Sequence, residues 1–282
     1  MSLSASCKIF GISRQAIYKQ EHRYASKLLV LSKVKVMVRR QRMDMPRLGT
    51  RKLYYLLKQD FMNNRIKIGR DGLFDCLRKE HMLIKPLKNY TKTTCSKHWL
   101  YKHPNLMKTA TIDKAEQLWV SDITYVRTKA QSCYLSLVTD AYSRQIMGYH
   151  ISPDLKAEGS VEALKMAVAN RAYKHPLIHH SDRGVQYCAE PYQQILRRNG
   201  IKCSMTDGYD CYQNALAERM NGIIKNEFLI QTAADIDQLR KMVKQNVEIY
   251  NKRRPHLSLN MKTPNQTHKE KPLTENSIRD IY

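Results

Sequence analysis

The sequence predicts an α/β domain with a mixed five-stranded sheet and flanking helices, preceded by an all-α region. Apolar and polar side chains alternate with a period of two over residues 117–126, which is typical of a half-buried strand. Strand and amphipathic-helix patterns then follow in the order βββαβαβα, which predicts a sheet covered by helices on both faces. With 282 residues, the chain is long enough for both regions.

The positive charge of the chain is concentrated in its first part. The whole sequence carries 49 Lys and Arg against 25 Asp and Glu, a formal net charge of +24. Residues 1–110 hold 25 basic and 6 acidic side chains, whereas residues 111–282 hold 24 and 19. Non-specific affinity for nucleic acid comes mainly from neutralised phosphates. The charge asymmetry therefore predicts that residues 1–110 bind a polyanion.

Membrane insertion and secretion are not indicated by the sequence. No stretch approaches the ~18 to 20 apolar residues of a transmembrane helix, and the first residues lack the layout of a signal peptide. The seven cysteines are scattered and contain no Cys-x-x-Cys pair, which indicates free thiols. We therefore expect a cytoplasmic protein with no membrane partner.

Residues 1–83 are predicted to form a helical DNA-binding region. A short helix, a turn at Gly11 and a second helix capped by Ser13 give residues 5–18 a helix-turn-helix outline. A long basic helix is predicted over residues 22–42. Its expected apolar face consists of Leu28, Leu29, Leu31, Val34 and Val36.

Two further helices are predicted over residues 50–60 and 70–81, after a break around Pro46. The last of them is a candidate recognition helix. A solvated charged face is the alternative for each basic side chain in this region. The candidate DNA contacts are Arg14, Arg70, Arg78 and Lys79.

Residues 84–112 are predicted to form a basic linker. Six lysines and no acidic residues occur over residues 84–110, together with aromatic side chains suited to stacking on bases. A disordered spacer is the competing interpretation. Zinc ligation by Cys95, His98 and His103 is a weaker alternative, because a structural site needs a second clustered thiol pair.

Residues 113–268 are predicted to form the catalytic core with a C-terminal helix, followed by a tail over residues 269–282. Three antiparallel strands open the core, over residues 117–126, 132–139 and 145–151. A helix, a short strand, a second helix, a fifth strand and a long helix follow. These later elements are expected over residues 157–173, 177–184, 191–199, 201–205 and 213–230.

Three carboxylates on separate predicted elements are the candidate catalytic residues: Asp122, Asp182 and Glu218. Asp122 lies within the first strand, Asp182 at the end of a strand, and Glu218 on the long helix. The first two are separated by 59 residues and the last two by 35. Phosphoryl transfer uses oxygen ligands for hard divalent cations, so the three acids fit a metal-dependent site.

The long helix presents a polar side that includes Glu218. At about 100° per residue, this side also contains Asn214, Asn221, Gly222 and Lys225. Gly222 weakens a helix by up to ~1 kcal/mol but permits close approach of a DNA backbone. A solvated polar stripe is the alternative, although it does not account for the glycine.

Other polar residues near the three acids have two interpretations each. Asp140 is a fourth possible ligand, but its place at the start of a turn favours a structural acid. For His180, a hydrogen bond within the sheet is favoured over ligation, because Mg²⁺ prefers oxygen. Arg183, Gln186 and Tyr187 follow Asp182 and are candidates for holding substrate phosphate.

These motifs, in their order and spacing, resemble those of the DDE transposases and retroviral integrases. The similarity rests on Trp119-Val-Ser-Asp-Ile-Thr-Tyr-Val, His180-Ser-Asp-Arg-Gly, and Asn214-Ala-Leu-Ala-Glu with Lys225 seven residues after Glu218. With the ending Tyr250-Asn-Lys-Arg-Arg-Pro-His, the chain is most similar to OrfB-type transposases of bacterial insertion sequences. For that ending a packing or DNA-positioning role is favoured over catalysis.

The resemblance implies a ribonuclease-H-like core in which Asp122, Asp182 and Glu218 hold two Mg²⁺ or Mn²⁺ ions. It implies a transposase that binds insertion-sequence ends and catalyses strand cleavage and strand transfer. Lys225, Asn214, Gly222 and Arg183 are the DNA-binding candidates of the core. A catalytically inactive DNA-binding regulator and a ribonuclease-H-type nuclease are the alternatives.

The resemblance also implies partners and a location. Double-stranded DNA, both transposon end and target, is the expected substrate, and a homo-oligomer is expected in the synaptic complex. An upstream-frame partner protein or a frameshift fusion is a further possibility for this group. The expected location is the bacterial cytoplasm, at the nucleoid.

Overall fold

The computed structural model describes residues 3–85, 99–108, 110–207 and 214–270, except for the side chain of Ala5. Its contacts divide the chain into two units, Met1–Lys85 and Pro86–Tyr282. In the described part of the chain, no helix is both long and apolar enough to cross a membrane. Most of the predicted linker and tail, with Cys95 and His98, lies outside the described residues.

The first unit consists of four helices, α1 (Leu3–Ile9), α2 (Arg14–Asp44), α3 (Thr50–Asn63) and α4 (Arg70–Lys79). Gly11 turns the chain between α1 and α2 with a φ of +63°, a region that favours glycine. Ser13 then caps α2, where its Oγ accepts a hydrogen bond from Ala16 N at 3.1 Å. The predicted turn and cap are therefore confirmed.

The second helix of the helix-turn-helix outline was predicted to be separate from the long basic helix. This prediction is wrong, because α2 is continuous over 31 residues. The predicted apolar face is also wrong in most of its members: Leu29 is 66% exposed and Val36 is 65% exposed. The buried residues of α2 are Val34 and Val38, one helical turn apart. They lie near its C-terminal end, so only that part of the helix contributes to the core of this unit.

The second unit is built on five strands, β1 (Leu118–Arg127), β2 (Ser132–Asp140), β3 (Ile146–Ser152), β4 (Leu177–Ser181) and β5 (Ile201–Met205). The strand order is β3-β2-β1-β4-β5. The first three strands pair antiparallel, and β4 and β5 join in parallel. This confirms the predicted mixed five-stranded sheet and places β1 at its centre.

Helices α5 (Ala157–Ala169), α6 (Val185–Cys188) and α7 (Glu190–Arg198) contribute to the larger core of this unit. Trp119 of β1 is fully buried in that core with Leu164 of α5 and Tyr192 of α7. Gly148 of β3 lets the backbone of α5 approach closely, since a Cβ there would lie 2.0 Å from Ala163 O. This close packing fixes the position of the sheet, and with it the start of the loop that follows β4.

The second unit ends in helices α8 (Ala215–Ile223), α9 (Ile236–Arg253) and α10 (Pro264–Lys269). A π-helical turn, Ile224–Phe228, follows α8 directly. The predicted single helix to about residue 230 is therefore wrong in its second half. A π-turn shifts the register of side chains, so positions after 223 do not follow the 100° spacing.

A buried ionic cluster ties α10 to the start of the sheet. His268 Nε2 lies 3.1 Å from Glu116 Oε1, and His268 Nδ1 lies 3.8 Å from Asp140 Oδ1. Asp140 also accepts hydrogen bonds from Glu116 N and Ser143 N, at 2.6 and 2.7 Å. Both acids are fully buried, so the structure supports the structural interpretation of Asp140.

The His268 cluster predicts a pH-dependent stability. Burial lowers the pKa of His268, but its hydrogen bonds to Asp140 and Glu116 outweigh burial and raise the pKa from 6.5 to about 9. A raised histidine pKa stabilises the fold fully below pH 6.5, and this contribution is lost as pH rises towards 9. We expect the free energy of unfolding to fall by roughly 2 to 3 kcal/mol across this window.

Urea denaturation of the wild type and of His268→Gln between pH 6 and pH 9.5 measures this contribution. Gln keeps a hydrogen-bonding amide but has no titrating proton, so the variant should be less stable than the wild type at pH 6, and its stability should fall less as pH rises to 9.5. Parallel curves for the two proteins would show that His268 is not the titrating group.

Candidate active site

Asp122 and Asp182 lie at the same level of two neighbouring parallel strands. The register of β1 and β4 pairs Val120 with His180, so the two aspartates each lie two residues further along. Asp122 is still within β1, whereas β4 ends at Ser181 and Asp182 opens the following loop. The sheet therefore presents both carboxylates at one place.

Helix α8 brings Glu218 to this place through two asparagines. Asn214, the N-cap residue of α8, donates from Nδ2 to Ser121 O at 3.1 Å. Asn221, two turns later on the same side of the helix, donates from Nδ2 to Asp122 Oδ2 at 2.9 Å. These bonds attach α8 to β1 beside the aspartate, while the Glu218 side chain is exposed.

The position of Asn214 corrects one sequence prediction. Asn214 is only 4% exposed and its amide donates to the backbone of β1, which argues against direct DNA contact. We therefore assign it to the residues that fix α8. Asn221, predicted only as part of a polar side, is the residue that orients the Asp122 carboxylate.

The loop after β4 is held tightly around Asp182. Gly184 N donates to Asp182 Oδ1 at 3.0 Å, and Gln186 Nε2 donates to Leu155 O at 2.7 Å. Gln186 and Tyr187 are both buried, so the prediction that they hold substrate phosphate directly is wrong. Arg183 is partly exposed and remains a candidate for phosphate contact.

Neighbouring carboxylates raise the pKa of Asp122 and of Glu218. Burial and then the charge of Asp182 raise the pKa of Asp122 to about 7, against an opposing hydrogen bond from Asn221. Burial and the charge of Asp182 also raise the pKa of Glu218. These shifts show that the acids are close enough to repel one another, as in sites built for a cation.

The donor set fits a hard divalent cation, because all three side chains offer carboxylate oxygens. No group of three His, Cys, Asp or Glu side chains in residues 3–85, 99–108, 110–207 and 214–270 is close enough to hold a metal ion. Glu218 is the exposed member of the three, so its side chain has the freedom to move towards the two aspartates. The structure thus brings the acids to one region without closing a ligand set.

The histidines of β4 are part of the sheet rather than of the acidic site. His180 Nδ1 lies 2.8 Å from Ser204 Oγ on β5, which confirms the favoured interpretation of this residue. His179 Nε2 lies 2.8 Å from both Ser121 Oγ and Tyr192 OH. Burial lowers the pKa of His179 to about 3, so this ring is neutral.

Gly222 lies near the end of α8, and Lys225 lies in the π-turn that follows this helix. Lys225 belongs to the π-turn and is partly buried, and burial lowers its pKa. A Cβ on Gly222 would meet its nearest atom, Asn226 Nδ2, at 3.9 Å. Packing within the chain therefore does not require glycine at this position, which leaves the predicted close approach of DNA as its possible use.

The four basic candidates of the first unit are exposed. Arg70 pairs with Asp71 at 2.9 Å, and Arg78 pairs with Asp75. Such exposed pairs contribute little to stability, so both arginines can exchange their partners for phosphates. Arg14 opens α2 and Lys79 closes α4.

Sequence reasoning missed the partner of the Tyr250 to His256 motif. Arg254 donates from Nε and Nη2 to the two carboxylate oxygens of Glu227 at 2.9 and 2.7 Å, and its Nη1 lies 2.9 Å from His256 Nε2. Glu227 belongs to the π-turn after α8. This supports a packing role for the motif, and the basic sequence around Arg254, Lys252-Arg-Arg-Pro, gives no signal of an acidic partner.

The β3-β2-β1-β4-β5 sheet, with acids on β1, after β4 and on α8, defines a nucleic-acid-processing enzyme of the integrase-core class. Residues 113–211 and residues 199–264 match two family models, each described as Integrase core domain. The insertion element IS600 uncharacterized 31 kDa protein of Shigella sonnei is 32% identical over 264 residues, 92% of this chain and 95% of that protein. The chain belongs to the DDE transposases of insertion sequences, with an integrase-like core.

Two other similarities each cover about half of the chain. Transposase InsF for insertion sequence IS3A of Escherichia coli strain K12 is 34% identical over 152 residues, 54% of this chain and 53% of InsF. The HTLV-2 integrase catalytic core domain, solved in complex with magnesium, is 20% identical with a TM-score of 0.44, over 55% of this chain and 97% of that one. The transposase interpretation is favoured over the inactive regulator and the ribonuclease-H-type nuclease.

Proposed function

We propose that this transposase binds the ends of its insertion sequence and uses Asp122, Asp182 and Glu218 to cleave and join DNA strands. The observation that carries the proposal is the placement of Asp122 and Asp182 at one level of adjacent strands, with Glu218 on the helix that Asn221 attaches to Asp122. This group of acids offers only oxygen donors, and a basic side chain, Lys225, follows in the turn after α8. Such a cluster suits phosphodiester chemistry.

The three carboxylates are proposed to hold two Mg²⁺ or Mn²⁺ ions. When bound, such ions activate the attacking oxygen and stabilise the leaving oxygen in phosphoryl transfer. The contribution of the chain is to orient the ligands: Asn221 fixes one oxygen of Asp122, and Gly184 N fixes one oxygen of Asp182. In each aspartate, one carboxylate oxygen is therefore held in a fixed direction by a hydrogen bond.

The reaction requires the reacting groups to be held in line. In cleavage, a water oxygen bonds to phosphorus as the bond from phosphorus to the strand's 3′ oxygen breaks, which leaves a 3′ hydroxyl. In joining, that hydroxyl oxygen bonds to a target phosphorus and a 5′-flanking fragment of the target leaves with a 3′ hydroxyl. Because both steps exchange one phosphorus–oxygen bond for another, no covalent bond to the protein is needed.

DNA is proposed to lie along the end of α8. Gly222 offers an open surface for the DNA backbone, and Lys225 and Arg183 are the nearby cations. In the first unit, the exposed Arg14, Arg70, Arg78 and Lys79 are the proposed phosphate contacts. The proposal also includes a second copy of the chain in the synaptic complex, an upstream-frame partner or fusion, and a place at the bacterial nucleoid.

The purified full chain, mixed with a duplex that carries the terminal repeat of its element and a supercoiled target, tests the proposal. We expect nicked and joined products with Mn²⁺ or Mg²⁺, and no products with a chelator. The three carboxylates repel one another, so they need a bound cation in order to act together. Products that are unchanged by the chelator, or cleavage of RNA–DNA hybrids without joining, would contradict the proposal.

Lys225→Ala is expected to raise the end-DNA concentration needed for half-maximal strand transfer by roughly tenfold, because one cation is removed from the DNA path. The maximal rate at saturating DNA should be largely retained, since lysine holds no metal. Lys165→Ala is the matched control, because Lys165 is exposed on α5 and pairs with Glu162 at 2.7 Å. Identical DNA dependence of both variants would exclude Lys225 from the DNA path.

A further inference from the structure

Two large aromatic rings are exposed in residues 99–108, the segment that precedes β1. Trp99 is 93% exposed and Tyr101 is 74% exposed. Leu100, between the two rings, is partly buried and packs against the larger core. The ring of Tyr101 packs edge-on against that of His103, with 5.0 Å between the ring centroids. The fold therefore holds the backbone between the rings and leaves both rings in water, and no step of strand cleavage or joining uses them.

The segment is anchored along β5, which lies at one edge of the sheet. Met205 N donates to Pro104 O at 3.3 Å, and Leu106 N donates to Ser204 Oγ at 2.9 Å. A partner that contacts the rings does not have to order this backbone first, which lowers the cost of binding.

The anchored segment meets the sheet at the end that carries the acids. Met205 pairs with Ser181 in the register of β4 and β5, and Asp182 follows Ser181 directly. Pro104, which accepts from Met205, therefore lies at the level of the residue before a proposed ligand. Two strand spacings, about 10 Å, separate it from β4. A DNA strand that is held at Asp182 and continues past β5 reaches this segment.

The sequence around the rings suits a nucleic acid. Residues 84–110 hold six lysines and no acidic residue, a charge that favours a polyanion. Aromatic rings among cations bind single-stranded nucleic acid, because each base offers a π face to a ring and each phosphate attracts a lysine. In a duplex, the neighbouring bases cover both faces of each base. The two rings therefore suit unpaired bases.

We propose that Trp99 and Tyr101 stack on unpaired bases of the DNA strand that is processed at the acids. The proposal rests on the proposed function, because strand cleavage at the acids is what brings DNA to this end of the sheet. Stacking tolerates any base sequence, so the rings add affinity for a melted strand without selecting one end sequence.

Tryptophan fluorescence of the full chain tests the proposal, because the two tryptophans have opposite surroundings. Trp99 is exposed, whereas Trp119 is fully buried in the larger core. Titration with an oligothymidylate of about 12 nucleotides should quench the emission of Trp99 through stacking. A blunt duplex of equal length should quench it less. Trp99→Phe should abolish the quenching and keep most of the affinity, because phenylalanine retains a ring.

Replacement of each ring by alanine measures its contribution to binding. Trp99→Ala and Tyr101→Ala should each weaken oligothymidylate binding by roughly tenfold in fluorescence anisotropy. The loss should be equal at about 50 and 200 mM salt, because stacking releases no counterions. Leu257→Ala is the matched control. Leu257 is 50% exposed in the same unit but has no aromatic face, so its removal should leave binding unchanged.

Unchanged emission of the wild type at saturating oligothymidylate would overturn the proposal. Emission that changes with protein concentration in the absence of DNA would assign the rings to a contact between copies of the chain, and would also overturn it. Strand transfer without quenching would remove the stacking role alone. Quenching without any strand cleavage would instead overturn the proposed function and leave the stacking site.

Discussion

Asp122→Asn, Asp182→Asn and Glu218→Gln should each lower strand cleavage and joining by on the order of a thousandfold, or roughly 4 kcal/mol of transition-state stabilisation. Each change removes one negative charge from a site in which the charge of Asp182 already raises the pKa of Asp122 and of Glu218. The remaining two acids then attract divalent cations too weakly to assemble the reacting groups. Binding of end DNA, measured separately by fluorescence anisotropy, should stay near the wild-type level.

Asp154→Asn is the matched control for these three variants. Asp154 belongs to the same unit and is an acid paired with Lys156 at 3.1 Å on the surface, so its loss should leave cleavage and joining unchanged. Full strand transfer by any one of the three site variants would remove that residue from the proposed ligand set. Loss of DNA binding together with activity would instead indicate a damaged fold.

Arg254→Ala should lower the free energy of unfolding by about 3 kcal/mol, because it leaves Glu227 without its cation. The Arg254 side chain is 2% exposed and that of Glu227 is 25% exposed, so we expect the lower end of the range for a buried pair. Urea denaturation at pH 7 measures the change. Because Glu227 lies in the turn after α8, strand transfer should also decline as the helix that carries Glu218 loses its anchor.

Arg253→Ala provides the comparison at the neighbouring position. Arg253 is exposed at the end of α9, and its removal should change the free energy of unfolding by less than about 0.5 kcal/mol. Equal stability of the two variants would mean that the Arg254–Glu227 pair contributes no more than a surface contact.

The strands and the acidic residues could be predicted from local patterns. The alternation around Asp122 gives β1, and the motif His180-Ser-Asp-Arg-Gly gives a strand that ends before Asp182. Each of these signals extends over no more than ten residues. Over that length, hydrophobic periodicity and turn-forming residues indicate the secondary structure. The predicted order βββαβαβα is accordingly the order of the structure up to α8, except for the short helix α6 after β4, which was not predicted.

Other features depend on contacts that sequence periodicity does not record. The apolar stripe of α2 was misassigned because Leu29 and Val36 are apolar yet exposed, while the buried residues of this helix are Val34 and Val38. The π-turn after α8 follows from tertiary packing, in which Arg254 pairs with Glu227 from 27 residues away. Burial of Asn214 likewise follows from its bond to the backbone of another element.

The link between His268 and Glu116 also bears on the order of events during synthesis. All five strands have been translated once residue 205 is complete, but the buried Glu116 and Asp140 lack His268 until residue 268 leaves the ribosome. A nascent chain that has made its whole sheet therefore still carries two acids in the protein interior without their histidine. Premature termination between residues 219 and 267 should yield chains that expose the sheet to cellular proteases, although every proposed catalytic residue is present.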